Sequence, residues 1–216
     1  MIDLNRQSFK DLHTSMIQRL NIFRLLIVLI FVFAGSDLEA KGFSRVVLDP
    51  GHGGKDKGAY WGGVRESHLA LKVALKVETL LKAHGIDVTM TRRSDIFIPL
   101  SHRAKLSNKY SGAIFVSIHF NASRHTYVRG AETYYASAKG KILAKSIQSR
   151  LLKKLHLKDR KIRLGKQYAV LNKTHGTAVL VECGYISNTY ERKRCNTSWY
   201  QSLAASAIVD GILEFQ

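Results

Sequence analysis

The stretch Val46-Val47-Leu48-Asp49-Pro50-Gly51-His52-Gly53-Gly54 stands near the start of the part of the chain whose pattern is that of a folded domain. A short apolar run reads as a buried strand, a proline ends it, and one histidine follows among three glycines. Glycines let the backbone turn sharply and leave space around the imidazole. In open α/β sheets ligands bind beyond the carboxyl ends of the strands. A histidine at that position therefore predicts both an α/β fold and the edge of the sheet where the chemistry lies.

Working outward, β-type runs alternate with helical ones. Strands are predicted at about Arg45–Leu48, Ile86–Thr91, Ala113–Ile118, Ala131–Tyr135, Ala169–Leu171 and Ala178–Glu182. Two of them, AIFVSI and AVLVE, are nearly continuous apolar runs, as strands covered on both faces require. The clearest helix starts near Glu66, carries the stripe Leu69, Val73, Val77, Leu80 and Leu81, and closes at Gly85. Others are predicted near Leu100–Tyr110, Lys139–Leu155 and Trp199–Phe215. The alternation predicts a single-domain α/β three-layer sandwich, with an approximately six-stranded, mainly parallel sheet and helices on both faces.

The 216 residues are 45% hydrophobic, which suits one globular domain and some additional sequence. That addition is at the front. Leu25–Phe33 reads LLIVLIFVF after Arg19 and Arg24, a run too short for a good membrane span but suited to a signal-peptide core. Residues 1–40 are read as a signal peptide whose start is Met1 or Met16, with an uncleaved N-terminal anchor as the alternative, and residues 41–216 as the folded domain. Export to the periplasm or cell envelope follows from this reading. About 176 residues then remain, enough to bury roughly two thirds of the unfolded surface. Residues 1–40 hold four basic and four acidic side chains, so the net charge of +18 belongs to the domain. Such a charge attracts polyanions. An exported chain meets an acidic wall polymer or an anionic lipid surface rather than nucleic acid. The two cysteines, Cys183 and Cys195, do not make a disulfide framework, and their spacing leaves a bridge and two free thiols equally open.

Three further places share the predicted edge. His119 ends the third strand, Glu182 ends the last one, and Glu66 opens the helix after the glycine-rich turn. Two histidines and a carboxylate form a usual protein shell for catalytic zinc, and a second carboxylate near the bound water can serve as general base and acid. Each alone has a plainer reading: a turn-capping histidine, a buried ion-pair carboxylate, a helix N-terminal acid.

The motifs DPGHGG, Arg65-Glu66, SIHFNAS and VECGYISN, in this order, resemble those of zinc-dependent N-acetylmuramoyl-L-alanine amidases of the amidase-3 type. Thr91-Arg92-Arg93-Ser94-Asp95, with Leu100, Arg103 and Asn108, resembles the connecting pattern. The likeness runs from about Val46 to the C-terminus. It implies one zinc ion held by His52, Glu66 and His119, Glu182 as the catalytic group, and hydrolysis in peptidoglycan of the amide between the muramic acid lactyl group and L-alanine. Arg103 and Asn121 match family positions and read as supporting residues. Some relatives carry a long inserted helix between the strand-end histidine and glutamate that blocks the zinc; here that interval predicts a single ordinary helix, hence an open site. A monomer is expected, and a protein activator is left open. A non-catalytic wall binder and a zinc peptidase acting on stem peptides are the competing readings.

The other histidines lie in polar surroundings. His125 and His175 flank motif loops and are the next candidates for the metal, while His68 points away from Glu66 on their common helix. Cys183 is expected on the opposite strand face from Glu182. Tyr134, Tyr135 and Trp199 read as core or surface aromatics rather than sugar platforms.

Overall fold

The computed structural model describes residues 42–215; the expected signal peptide and the first domain residue lie outside them. Six strands form one sheet: β1 (Arg45–Pro50), β4 (Val88–Met90), β5 (Ala113–Asn121), β6 (Ala131–Tyr135), β7 (Asp159–Leu164) and β8 (Thr177–Tyr185). Their order is β4-β1-β5-β8-β6-β7. All neighbours are parallel except β6, which runs antiparallel to β8. A small hairpin, β2 (Tyr60–Trp61) and β3 (Val64–Arg65), stands apart.

Alternation along the central strands assigns the two faces. Ile114, Val116, Ile118 and Phe120 of β5, with Val179, Val181 and Cys183 of β8, belong to the large core. That core is closed by α1 (Glu66–Ala83), α3 (Ala138–Leu155) and α6 (Ser198–Leu213), whose buried stripes include Leu69, Val73 and Val77, Leu143, Ile147 and Leu151, and Ala204, Ile208 and Ile212. Phe115, Ala178 and Leu180 face the other way into a small core with Val47, Val170 and Leu171. Among the described residues only two short helices, α2 (Leu100–Ser107) and α4 (Ala169–Asn172), cover that second face. The predicted three-layer sandwich is present, but one of its layers is thin. The thin layer leaves room for a cavity.

Two predicted elements are corrected. Ala169–Leu171 is a helical turn, α4, not a strand. The sixth strand is β7, DRKIRL, at the sheet's edge. Its residues are half-buried or exposed, so it carries no apolar run to mark it. Charged side chains are how edge strands avoid further pairing. A further helix, α5 (Thr189–Cys195), was not foreseen; Asn188 caps it by accepting from the Glu191 N–H. Cys183 and Cys195 are both buried free thiols in the large core, with Cys183 on the face opposite Glu182, as expected.

Candidate metal centre

The glycine-rich turn is held from behind by two buried arginines. Arg92 donates to the carbonyls of Pro50, Gly51 and Ser67 at 2.7–2.9 Å. Arg103 donates to the carbonyls of Pro50 and His52 and to the Asp49 carboxylate, at 2.7–2.8 Å. Asp49 also accepts from Thr91 Oγ1 and Ser117 Oγ. A buried charge pair left alone would be costly, but here Asp49 accepts three hydrogen bonds and Arg103 donates four. The result is a rigid frame in which His52 adopts φ +58° and Gly53 φ +125°. The former is a conformation that a β-carbon disfavours, kept where the surroundings impose it. Gly51 has a different reason to be glycine: a β-carbon there would lie 2.2 Å from Cε1 of His119.

Three side chains converge in front of this frame. Potential ligand atoms of His52, Glu66 and His119 all lie within 4.8 Å of one another. Glu66 Oε1 is 3.1 Å from His52 Nε2 and 2.8 Å from His119 Nδ1. The far nitrogen of each ring has its own acceptor. His52 Nδ1 lies 2.9 Å from both Asp56 oxygens, and His119 Nε2 lies 3.1 Å from Ser117 Oγ, whose proton goes to Asp49. With those nitrogens donating outward, the inward ones present lone pairs to a carboxylate oxygen. Such a meeting is repulsive unless a cation or proton stands between them. Outward donors that fix the tautomer are the usual support of metal-binding histidines. The donor set, two imidazole nitrogens and a carboxylate, fits zinc.

The electrostatics agree with this arrangement. Burial alone would raise the Glu66 carboxyl, yet the two imidazoles hold it far below the ordinary carboxylate range. Burial opposes the charged form of His52, but Glu66 and Asp56 outweigh it and raise that ring's proton affinity. Glu182 is different. Its pairing with His119 sets the two residues side by side on the thinly covered face. Burial, then the charges of Glu66 and Glu132, push its carboxyl well above the usual value. Its Oε2 is buried and has no hydrogen-bond partner. Among the described residues Glu182 forms no ion pair, so the plain structural reading of a buried salt bridge does not hold.

These groups line one cavity of about 570 Å³, walled on its apolar side by Phe97, Leu100, Tyr168, Val170 and Leu180. Between His119 and Glu182 the helices are α3 and the single turn of α4. The longer one packs into the large core, away from the cavity, while the short turn, which the sequence reading did not expect as a helix, lends Ala169 and Val170 to the cavity wall. Arg103 and Asn121 both reach the cavity wall, and Asn121 donates to Glu132 Oε1 at 2.7 Å. His125 and His175 are exposed and outside the cluster, and His68 instead meets Asp95 at 3.1 Å. Three participants escaped the sequence reading. Asp56 had a signal, its spacing of four from His52. Glu132 had a weaker one, a carboxylate in an otherwise uncharged strand; it accepts from Asn121 and from Tyr185 Oη and pairs with Arg163. Arg92 stands in the connecting pattern, but its role of holding the turn had no signal, because its partners are carbonyls about 25 to 42 residues away.

The chain matches the family Amidase_3, N-acetylmuramoyl-L-alanine amidase, over residues 46–214. It is 33% identical over 174 residues to the N-acetylmuramoyl-L-alanine amidase LytC of Bacillus subtilis, covering 79% of this chain and 35% of that one. The catalytic domain of CwlV, an N-acetylmuramoyl-L-alanine amidase from Bacillus (Paenibacillus) polymyxa, superposes with a TM-score of 0.77 and 37% identity, covering 80% of this chain and 98% of that one. The CwlD amidase of Clostridioides difficile, solved in complex with the GerS lipoprotein, superposes with a TM-score of 0.76 and 29% identity, covering 80% and 98%. The chain spans 35% to 57% of the length of the first curated relatives it matches. Matching sequence along 169 of 216 residues, a shared fold and a histidine–glutamate–histidine cluster at the expected strand ends lead to one conclusion: this chain belongs to the Amidase_3 family of N-acetylmuramoyl-L-alanine amidases.

Proposed function

We propose that this domain hydrolyses the amide between the muramic acid lactyl group and L-alanine in peptidoglycan, with zinc held by His52 Nε2, Glu66 and His119 Nδ1. When bound, the zinc ion supplies Lewis acidity, polarising the amide carbonyl and lowering the pKa of the attacking water. Everything else is the work of this chain. Asp56 and Ser117 fix the two rings so that their inward nitrogens are unprotonated. Glu182 takes the water's proton and delivers it to the alanine nitrogen as the C–N bond breaks. A carboxyl whose proton affinity is raised by burial suits both halves of that task, since the best acid–base catalyst has a pKa near the working pH.

The observation that carries the assignment is the β5–β8 register. It brings Glu182 beside His119 with one oxygen free, in the cavity that also holds the cluster. The test is digestion of purified peptidoglycan followed by mass analysis. Release of intact stem peptides with free L-alanine amino termini is the expected result. Cleavage inside the stem would make the protein a peptidase, and binding without cleavage would make it a wall-binding domain.

Residues 1–40 serve in this reading as an export signal preceding the domain at 41–216, which places the enzyme at the cell envelope. The apolar run at Leu25–Phe33 supports the export, and the similarity to cell wall amidases supports the location. The domain works as a monomer drawn to its anionic substrate by its net charge of +18. The lipoprotein bound to CwlD makes a protein partner a reasonable target of search.

A further inference from the structure

A second groove, of about 610 Å³, lies on the same rim of the sheet as the metal cluster. The pairing of Glu132 with Glu182 sets the start of β6 beside the end of β8, so Arg129 stands past the carboxyl end of β8. The groove is lined by Arg129, His156, Lys158, Tyr190, Arg194 and Trp199. Among the described residues neither Arg129, Lys158 nor Arg194 forms an ion pair, although Arg194 and Arg129 are near enough to Glu191 to favour its charged form. The acid in the wall, Glu191, is buried and turned inward, its oxygens accepting from the Gly130 and Tyr185 N–H groups at 2.8–3.0 Å. Arg194 is held in place, donating to the Leu155 carbonyl at 2.8 Å with its guanidinium over the rings of Tyr190 and Tyr200.

The aromatics point the same way. Trp199 is 61% exposed and Tyr190 60%, at the first turns of α6 and α5. Single exposed apolar side chains need no explanation, but two large rings beside a groove with unpaired cations do. An indole in water offers a flat apolar platform for a sugar ring, and the cations around it favour a sugar that carries negative charge.

Against the sequence reading of Trp199 as a plain surface aromatic, we propose that this groove binds a glycan strand bearing free carboxylates, with a pyranose face on Trp199 and carboxylates at Arg129 and Lys158. The proposal rests on the amidase reading. In that reaction the water oxygen joins the lactyl carbonyl carbon, the C–N bond breaks, and the alanine nitrogen keeps the proton. Each turnover therefore leaves a carboxylate on the sugar. The groove matches this product strand better than a neutral glycan, and it keeps the enzyme on a strand it has begun to strip.

Titration calorimetry tests this with three probes of equal length: peptide-free oligomers of alternating N-acetylglucosamine and N-acetylmuramic acid, neutral chitooligosaccharide, and polyphosphate. The peptide-free glycan should bind about tenfold more tightly than chitooligosaccharide, and Trp199→Ala and the double variant Arg129→Glu, Lys158→Glu should each weaken it about tenfold or more. Hydrolysis of a short soluble muropeptide should be unchanged in both variants, and their Tm values should match wild type, since all three side chains lie on the surface. Equal binding of the neutral oligomer, or undiminished affinity of Trp199→Ala, would overturn the proposal, as would polyphosphate binding that equals the glycan's. Lack of muropeptide hydrolysis by the wild type would sink the amidase reading, while the oligomer affinities would still report on the groove.

Discussion

Gly51→Ala puts the geometry of the cluster under test with a single methyl group. Its carbon would lie 2.2 Å from His119 Cε1 and 2.4 Å from Nε2. Carbon atoms in contact rest at about 3.5–4.0 Å, so something must retreat by about 1 Å or more. The backbone at Gly51 is poorly able to do so. Its N–H donates to the Ile118 carbonyl at 2.9 Å, and its own carbonyl accepts from Arg92 at 2.7 Å. Gly51 has no left-handed φ, so alanine strains nothing locally and the effect passes through the contact. The imidazole is the part that moves. Metal–ligand distances tolerate only about 0.2 Å, and a misplacement of about 1 Å can cost about a hundredfold in rate. Overpacking should lower stability by only about 1–3 kcal/mol, leaving the domain folded. Metal analysis of the purified variant should therefore find most of the zinc gone, with hydrolysis of peptidoglycan reduced at least about a hundredfold. Near-stoichiometric zinc together with an undiminished rate would refute the reasoning.

Glu182→Gln keeps the side chain's size and removes its basicity; zinc content should hold while the hydrolysis rate falls by about a hundred- to ten-thousandfold. Loss of zinc in that variant would make Glu182 a ligand, and an unchanged rate would make it structural. Glu78 supplies a pH test of stability. Burial works to raise its carboxyl, but Arg93 and Lys82 overcome this and hold it below the ordinary value. A depressed folded pKa stabilises above about pH 4.5 and loses that contribution as pH falls through the folded value. Both partners are more than half exposed, so Glu78→Gln should lower stability by about 1 kcal/mol or less at pH 7, and thermal melts of variant and wild type should converge as pH falls below the folded value. Binding of the domain to insoluble peptidoglycan should weaken as salt is raised above about 0.1 M, where the screening length is about 10 Å; pelleting that does not change with salt would give the +18 charge another purpose.

Much of this protein was legible along the chain because its signals are local. Apolar runs such as AIFVSI mark central strands, since a strand covered on both faces has nowhere to put a polar side chain. The stripe from Leu69 to Leu81 marks α1 by its period. The two histidines and Glu182 stand at strand ends, where the fold class itself predicts a ligand, and four ordered motifs identify the family. The tertiary structure decided what depends on meeting in space. β7 is an edge strand and needs no apolar code, whereas Ala169–Leu171 has that code and is spent on a helical turn covering the small core. Which nitrogen of each ring faces inward was settled by Asp56 and Ser117, and the stiffness of the turn by Arg92 and Arg103 reaching carbonyls tens of residues away. Carbonyl acceptors are the same at every position, so a chain records which residues carry chemistry but not which backbone they will hold. The register of β5 against β8 makes the same point: only pairing places Glu182 beside His119 and turns two separate motifs into one site.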